Sequence, residues 1–204
     1  MIHLGDIKQI HGYEIPPVDV ITGGSPCQDL SVAGKRAGLD GERSGLFMEQ
    51  IRIVKEMREH ELASGKAIEF VRPRYMVWEN VPGAFSSNGG KDFQAVLTEI
   101  VRIVEPEATD VPLFGGGKKW EHSGCIYDQL GRWSIAWRVH DAQFWGVPQR
   151  RKRIALVADF AGLSAPEICF VRKGLHWDPK QGRETRQGAS RSVEKCSTEP
   201  DKPK

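Results

Sequence analysis

Short apolar runs alternate with segments of helical periodicity, and this alternation constrains the fold more than any other feature of the sequence. The predicted strands are residues 18–22, 74–78, 133–140 and 154–159, and the predicted helices are residues 45–60 and 91–104. Strands that alternate with helices are typical of α/β proteins with a largely parallel central sheet. Ligands of such sheets bind beyond the carboxyl ends of the strands.

Long connections separate these elements. Residues 23–44 contain glycines at 23, 24, 34, 38 and 41 and no apolar period, which favours a functional loop. Residues 1–7 are predicted to be the end of a strand that opens into a turn at Gly5 and Asp6, and residues 105–132 to be rich in loops. From about residue 172 apolar residues almost vanish. We therefore predict a folded domain over 1–160 and a polar tail over 161–204, either disordered or the start of a further region.

The bulk composition excludes several classes of protein. The 204 residues suffice for one domain with a core, and the net charge of +2 neither indicates nor excludes a nucleic-acid partner. No apolar run is long enough to span a membrane, and the amino terminus does not resemble a signal peptide, so a cytoplasmic protein is expected. The four cysteines form no CxxC pair, so no disulfide framework is expected. His122 and Cys125 have ligand-like spacing, but no second pair completes a metal site.

Cys27 is the first residue that suggests chemistry. It follows Pro26, which has no N–H and a fixed φ, and it lies between a predicted strand and the glycine-bearing loop. A presented cysteine that is partly thiolate is a nucleophile, whereas a lone cysteine at a strand end is more often a packed core residue. Both interpretations remain open on the residues alone.

Glu79 and the basic run 149–153 offer a second and a third candidate. Glu79 ends a strand predicted to lie in the middle of the sheet, where burial favours a proton-donating acid; the alternatives are a helix cap or a partner for an arginine. In an extended strand Gln149, Arg151 and Arg153 point to one side and Arg150 and Lys152 to the other. One row of arginines would then reach a site, unless the run is simply a solvated or phosphate-binding surface.

Taken together, these residues belong to four ordered blocks that resemble motifs of the DNA cytosine-5 methyltransferases. The blocks are GDI at 5–7, GGSPCQDLSVAGKR at 23–36, RYMVWENVPG at 74–83 and DAQFWGVPQRRKRIALVA at 141–158. No single block is specific, but the ordered set is, and it covers roughly residues 1–160. The resemblance implies an α/β, Rossmann-like S-adenosyl-methionine-dependent methyltransferase fold.

The resemblance also implies a reaction on double-stranded DNA whose target cytosine is flipped into a pocket. The Cys27 thiolate would attack C6, and the activated C5 would take the methyl group of S-adenosyl-L-methionine. Loss of the C5 proton and expulsion of the thiol would complete the reaction. Glu79 would hold the N3/N4 edge and help to protonate N3, and Arg153, with Arg151 close by, would bind O2.

Further residues take their expected roles from the same resemblance. The implied substrate-binding residues are Pro26, Gln28, Asn80, Val81, Lys35 and Arg36. Pro26 would pack against the base, and the 29–44 loop with its basic residues would close on the DNA backbone. Asp6 would accept a hydrogen bond from the amino group of the cofactor's adenine, and Ile7 would pack on the adenine ring.

The sequence departs from the family pattern at both ends. A Phe-x-Gly-x-Gly turn and an acidic residue for the ribose would lie before Met1, and the region that reads DNA sequence should follow residue 160. The fold is therefore expected to be incomplete at both ends, and the isolated chain to show little or no turnover. Three interpretations follow: a bacterial or phage catalytic segment that needs a second chain, an inactive truncated product, or a DNA-binding or regulatory protein on the same scaffold.

Overall fold

The computed structural model describes residues 2–25, 45–113, 120–146 and 148–170. The strands are β1 (Val20–Gly24), β2 (Tyr75–Asn80), β3 (Ser123–Tyr127), β4 (Ser134–Asp141) and β5 (Lys152–Asp159). The helices are α1 (Gly45–Ala63), α2 (Lys91–Val101) and α3 (Ala165–Cys169). Short 3₁₀ turns cover Ile7–Gln9, Ile68–Phe70, Pro82–Phe85, Ser87–Gly90 and Ala142–Trp145.

The five strands form one mixed sheet in the order β1-β2-β5-β4-β3. Only β1 and β2 pair in parallel, and the other three pairs are antiparallel. The α/β class is confirmed, but the prediction of a largely parallel sheet is wrong for the described residues. For two of these three pairs the reason is local, because a short connection joins β3 to β4 and another joins β4 to β5. Each returns the chain directly along its neighbour, which gives an antiparallel pair.

Helices cover the two faces of the sheet unequally. α1 and α2 pack on one face, where Phe47, Trp78, Phe93 and Leu156 belong to the main core. α3 packs on the other face against β4 and β5, around Ala136, Val157, Ala165 and Cys169. The division into a catalytic domain (1–160) and a tail (161–204) remains a prediction, although α3 joins the fold beyond residue 160.

The structure departs from the sequence predictions at several further points. Residues 2–6 form no strand; Asp6 instead caps the 3₁₀ turn Ile7–Gln9, so it does not lie at a strand end. β3 and α3 were not predicted, since their few apolar residues give no clear period. Among the described residues, no helix is long and apolar enough to cross a bilayer.

The two cysteines in the described part of the chain differ in state. Cys169 is free and buried, and burial raises the pKa of its thiol to about 12. Cys125 is disulfide-bonded, contrary to expectation. Within the described ranges, no group of three or more His, Cys, Asp or Glu side chains could hold a metal ion.

Candidate active site

The parallel pairing of β1 and β2 brings two of the predicted motifs side by side. Gly24, the last residue of β1, pairs with Glu79 in register. A Cβ atom on Gly24 would lie 3.2 Å from Oε2 of Glu79, so the glycine permits the close approach of this carboxylate. Ser25 follows directly and leads into the Pro26–Cys27 step. The strand end that precedes the predicted nucleophile therefore lies beside Glu79.

Two buried side chains of β2 hold Ser25 in place. Nδ2 of Asn80 donates to the Ser25 carbonyl at 2.9 Å and lies 3.3 Å from its hydroxyl. The indole Nε1 of Trp78 donates to the same hydroxyl at 3.2 Å. Asn80 is 2% exposed and Trp78 fully buried, so both donors need these acceptors. The residue before the Pro-Cys step is thus fixed by three hydrogen bonds from the core of the sheet.

Asn80 also organises the turn that follows it. Its Oδ1 accepts from the backbone N–H of Val81 at 2.8 Å. Val81 is half-buried and precedes the 3₁₀ turn that begins at Pro82. The side chain of Asn80 therefore binds the backbone of Ser25, after β1, and the backbone of Val81, after β2.

Glu79 and Arg153 form an ion pair across β2 and β5. Nε of Arg153 lies 2.8 Å from Oε1 of Glu79. Glu79 pairs with Ala155 in the antiparallel register, so Arg153, two residues away, points to the same face. The Glu79 side chain is 50% exposed, and the expectation of a buried carboxylate is wrong. β1 and β2 end at this level of the sheet, which leaves the carboxylate open to solvent.

Arg151 is not part of this pair. β5 begins at Lys152, so Arg151 precedes the strand and does not continue a row with Arg153. It is exposed, and its backbone N–H donates to Oδ1 of Asp141 at 3.1 Å. Among the described residues, the structure brings Arg153 rather than Arg151 to Glu79.

Asp6 and Ile7 lie on a segment that α1 holds. Nη2 of Arg52 donates to the carbonyls of Ile7 and Ile10 at 3.1 and 2.8 Å. The Gly12 amide donates to Oε2 of Glu56 at 2.7 Å. Burial raises the pKa of Glu56, but hydrogen bonds from Arg52 and Gly12 outweigh that effect and hold the pKa below its usual value. The segment is therefore tied to the helix by charged groups.

The same turn of α1 also contacts the end of the sheet. Nε2 of Gln50 donates to the Val77 carbonyl at 3.3 Å, and its side chain lies over Gly23, where a Cβ would come within 2.4 Å of Oε1. Because Gln50 and Arg52 are two residues apart, one helical turn links the Asp6 segment to the β1–β2 end. The absence of a side chain at Gly23 is the only sequence signal for this packing.

The predicted adenine contacts are chemically suitable. Oδ1 of Asp6 accepts from the Lys8 amide at 3.0 Å, which leaves the exposed carboxylate further acceptor capacity. Ile7 next to it is half-buried and apolar. An acceptor beside an apolar side chain fits an adenine amino group and ring. The predictions at Pro26, Cys27, Gln28, Lys35 and Arg36 lie outside the described residues.

Four residues that shape this site were not predicted from the sequence: Ser25, Gln50, Arg52 and Asp141. Each acts through a hydrogen bond to backbone or to a buried side chain. Such bonds leave no period or spacing in the sequence. Only the positions of Ser25, within the Pro-Cys block, and Asp141, at the start of the fourth block, could have drawn attention to them.

A match to a known family covers the first three of the four blocks. Residues 1–103 match the family model "C-5 cytosine-specific DNA methylase". The chain is 33% identical over 208 residues to the DNA N-6-adenine-methyltransferase of Escherichia phage P1. The matched region covers 92% of this chain and 26% of that protein. It is 28% identical over 168 residues to the type II methyltransferase M.BsuFI of Bacillus subtilis. This second matched region covers 82% of this chain and 31% of that protein.

Among solved structures, the S. pombe Dnmt2 methyltransferase is similar, with a TM-score of 0.42 and 13% identity. The similarity covers 83% of this chain and 42% of that one. The chain thus spans less than half the length of each of these proteins.

Proposed function

Because this chain belongs to the C-5 cytosine-specific DNA methylase family, we propose that it methylates C5 of cytosine in DNA through a covalent bond from Cys27 to C6. Family membership confirms the methyltransferase fold class expected from the sequence. The observation that supports the reaction best is the convergence of Ser25, which precedes Pro26 and Cys27, with the Glu79–Arg153 pair at one end of the sheet.

The Glu79–Arg153 pair suits the edge of a cytosine. The exocyclic O2 and the ring nitrogen N3 lie on the same edge of cytosine, and the two side chains are neighbours 2.8 Å apart. A flipped base between them would exchange the ion pair for contacts from Arg153 to O2 and from Glu79 to N3 and N4. The guanidinium then stabilises the negative charge that nucleophilic addition places on the ring, and Glu79 holds the proton at N3.

Cys27 would form the covalent bond. Its thiolate adds to C6, C5 takes up the methyl group, the C5 proton leaves, and elimination of the thiolate restores the ring. S-adenosyl-L-methionine, the methyl donor of the family, supplies an electrophilic methyl group when it is bound. Asp6 and Ile7 would hold its adenine. Asn80 and Val81 would shape the pocket, and Pro26, Gln28, Lys35 and Arg36 would contact the flipped base or the DNA backbone.

A second polypeptide segment is the further partner we propose. The matched relatives have most of their length outside the part that this chain covers. Residues of such a segment, on the same or a separate chain, would complete cofactor binding and DNA sequence recognition. A DNA substrate also places the protein in the cytoplasm of a bacterium or a phage-infected cell.

A trapping experiment tests the proposed chemistry. The chain is incubated with S-adenosyl-L-methionine and a long duplex of mixed sequence that carries 5-fluorocytosine. Fluorine cannot leave C5 as a proton does, so the adduct persists and can be mapped by mass spectrometry. We expect an adduct at Cys27, and none with Cys27→Ser.

The controls separate the other interpretations. Cys169→Ser should leave the adduct unchanged, because that thiol is buried and burial raises its pKa to about 12, so it is not a thiolate near neutral pH. Absence of any adduct, while the duplex still binds, would favour a DNA-binding or regulatory protein. Absence of both would indicate an inactive product.

Adenine methylation is the second candidate, and one relative's description favours it. Transfer to the adenine N6 amino group needs no addition of a thiol to the ring. Nucleoside analysis of treated DNA separates cytosine from adenine methylation. The adenine reaction would be supported by N6-methyladenine that forms to the same extent with the wild type and with Cys27→Ser.

A further inference from the structure

The carboxylate of Asp141 joins both ends of the connection between β4 and β5. It is 7% exposed and ends β4. Oδ1 accepts from the backbone N–H of Arg151 at 3.1 Å and from that of Gln143 at 3.3 Å. Oδ2 accepts from the Gln143 side chain at 2.9 Å. A buried carboxylate with these three donors fixes the backbone where the chain leaves β4 and where it returns to β5.

The return of the chain leads directly to the site. The Ala142 amide donates to the Arg151 carbonyl at 3.0 Å, which closes the connection beside the carboxylate. Asp141 pairs with Lys152 in register, and His140 pairs with Arg153. Arg153 is therefore two residues beyond the amide that Asp141 binds. Its guanidinium contacts two described groups, the carboxylate of Glu79 and the carbonyl of Lys152 at 2.8 Å.

The anchoring of that guanidinium is weak in itself. Glu79 and Arg153 are 50% and 31% exposed, and a pair so open to water gains little from its own attraction. The direction of the Arg153 side chain must then come from the backbone that presents it. Asp141 is the buried charged group that binds this stretch of backbone.

We propose that Asp141 is a positioning residue for Arg153: it fixes the start of β5 so that the guanidinium faces Glu79. That Arg153 must face Glu79 for catalysis rests on the proposed function. That Asp141 orients Arg153 toward Glu79 does not depend on it. The competing interpretation is that Asp141 only caps the 3₁₀ turn Ala142–Trp145 through the Gln143 amide.

Two substitutions separate positioning from capping. Asp141→Asn keeps an oxygen for both backbone amides, and the side-chain amide of Gln143 can turn so that its oxygen accepts from the new Nδ2. Asp141→Ser keeps a good cap for the turn but is too short to bridge to Arg151. Asp128→Ser is a matched control, because Asp128 binds the Arg132 amide and guanidinium in the β3–β4 connection, at the far end of β4.

The decisive measurement follows the Nε–H of Arg153 by nuclear magnetic resonance, with its signal assigned through Arg153→Lys. We expect Asp141→Ser to speed its exchange with water by roughly tenfold, the effect of about 1.4 kcal/mol. Asp141→Asn and Asp128→Ser should leave the rate unchanged. An unchanged rate in folded Asp141→Ser would overturn the proposal. If Asp141→Ser is unfolded, Asp141→Asn decides instead, through the exchange of the Gln143 and Arg151 backbone amides. Faster exchange of these amides together with faster exchange of the Arg153 Nε–H supports positioning. Faster exchange of these amides with an unchanged rate at the Arg153 Nε–H refutes it.

A second measurement connects the alignment to the reaction. In the 5-fluorocytosine assay, Asp141→Ser should slow adduct formation by about tenfold. It should cause no further loss in an Arg153→Ala background, because Asp141 acts through that arginine. If the wild-type chain forms no adduct, the proposed function fails while the exchange measurement still decides the role of Asp141. Independent losses in the double variant would contradict the proposal.

Discussion

Nδ2 of Asn80 lies 2.9 Å from the carbonyl oxygen of Ser25 and joins the end of β2 to the residue before the Pro26–Cys27 step. Both strands end at this bond, and Asn80 is 2% exposed. A buried amide in this position does more than stabilise the sheet, because it sets where the chain leaves β1. The position of Ser25 then depends on a side chain from a different strand.

Asn80→Asp should therefore impair the site beyond its effect on stability. The change keeps the shape and the acceptor for Val81, but it replaces a donor by a carboxylate oxygen that faces the Ser25 carbonyl. We expect the free energy of unfolding to fall by about 1–3 kcal/mol and the rate of adduct formation at Cys27 to fall by at least roughly tenfold. Urea denaturation and the 5-fluorocytosine assay measure the two effects.

Asn88→Asp provides the matched control for this substitution. Asn88 is exposed, with φ of 49°, and aspartate tolerates that backbone conformation. It should change neither quantity. Equal adduct rates in wild type and Asn80→Asp would show that the Asn80–Ser25 bond does not position Cys27.

Arg52 is predicted to support cofactor binding through the backbone of the Asp6 segment. Arg52→Met keeps most of the aliphatic stem but removes the donors to the Ile7 and Ile10 carbonyls. We expect the Kd for S-adenosyl-homocysteine, measured by calorimetry, to rise by about tenfold. Hydrogen exchange of residues 7–12 should accelerate in the same variant.

Arg102→Met is the control for Arg52, because Arg102 likewise pairs with a helical glutamate and donates to a backbone carbonyl, that of Ala108, but lies at the C-cap of α2. It should leave the Kd and the exchange of residues 7–12 unchanged. An Arg52→Met variant with normal exchange in that segment would refute the anchoring role, whether or not the wild type binds the ligand.

The carboxyl group of Asp159 should make the stability of the fold depend on pH. Burial raises the pKa of this carboxyl, but hydrogen bonds from Arg74, Ser164 and the Ala161 amide outweigh that effect, so the pKa lies below its usual value. A pKa lower in the folded than in the unfolded state stabilises the fold above the unfolded pKa of about 3.9. That stabilisation is lost as the pH falls from there through the folded pKa.

Asp159→Asn should remove this part of the acid sensitivity. We expect the Tm of the wild type to fall more steeply below about pH 4 than that of Asp159→Asn, which should be less stable at neutral pH by about 1–3 kcal/mol. Thermal unfolding across this range is the measurement. Asp110→Asn, at a side chain 54% exposed, should follow the wild type. Parallel curves for wild type and Asp159→Asn would contradict the account.

The sequence predicted those parts of the fold that depend on periodicity. The helix expected at 45–60 is α1, and the strand expected at 74–78 is β2, which continues through Glu79 and Asn80. Helix 91–104 is α2, which ends three residues earlier. These segments have strong apolar patterns because they form the main core. Strand direction left no such pattern, so the antiparallel part of the sheet was not foreseen.

The site was predictable only where its residues are reactive. Glu79 and Arg153 were named from their chemistry, and the structure pairs them, but the exposure of Glu79 was not predicted because it depends on where the neighbouring strands end. Asp141 and Ser25 act through hydrogen bonds that involve backbone groups at the ends of strands. No local pattern encodes such contacts. The role of Cys27 stays a prediction, since it lies outside the described residues.

Tritium release from duplex DNA labelled at C5 of cytosine tests the central claim most directly, because it needs no methyl donor. Addition of the Cys27 thiolate to C6 lets C5 take a proton from water, and elimination then exchanges the tritium. The account predicts release above background by the wild-type chain, less by Asn80→Asp, and none by Cys27→Ser. Release that is absent in the wild type, or equal in Cys27→Ser, would contradict it.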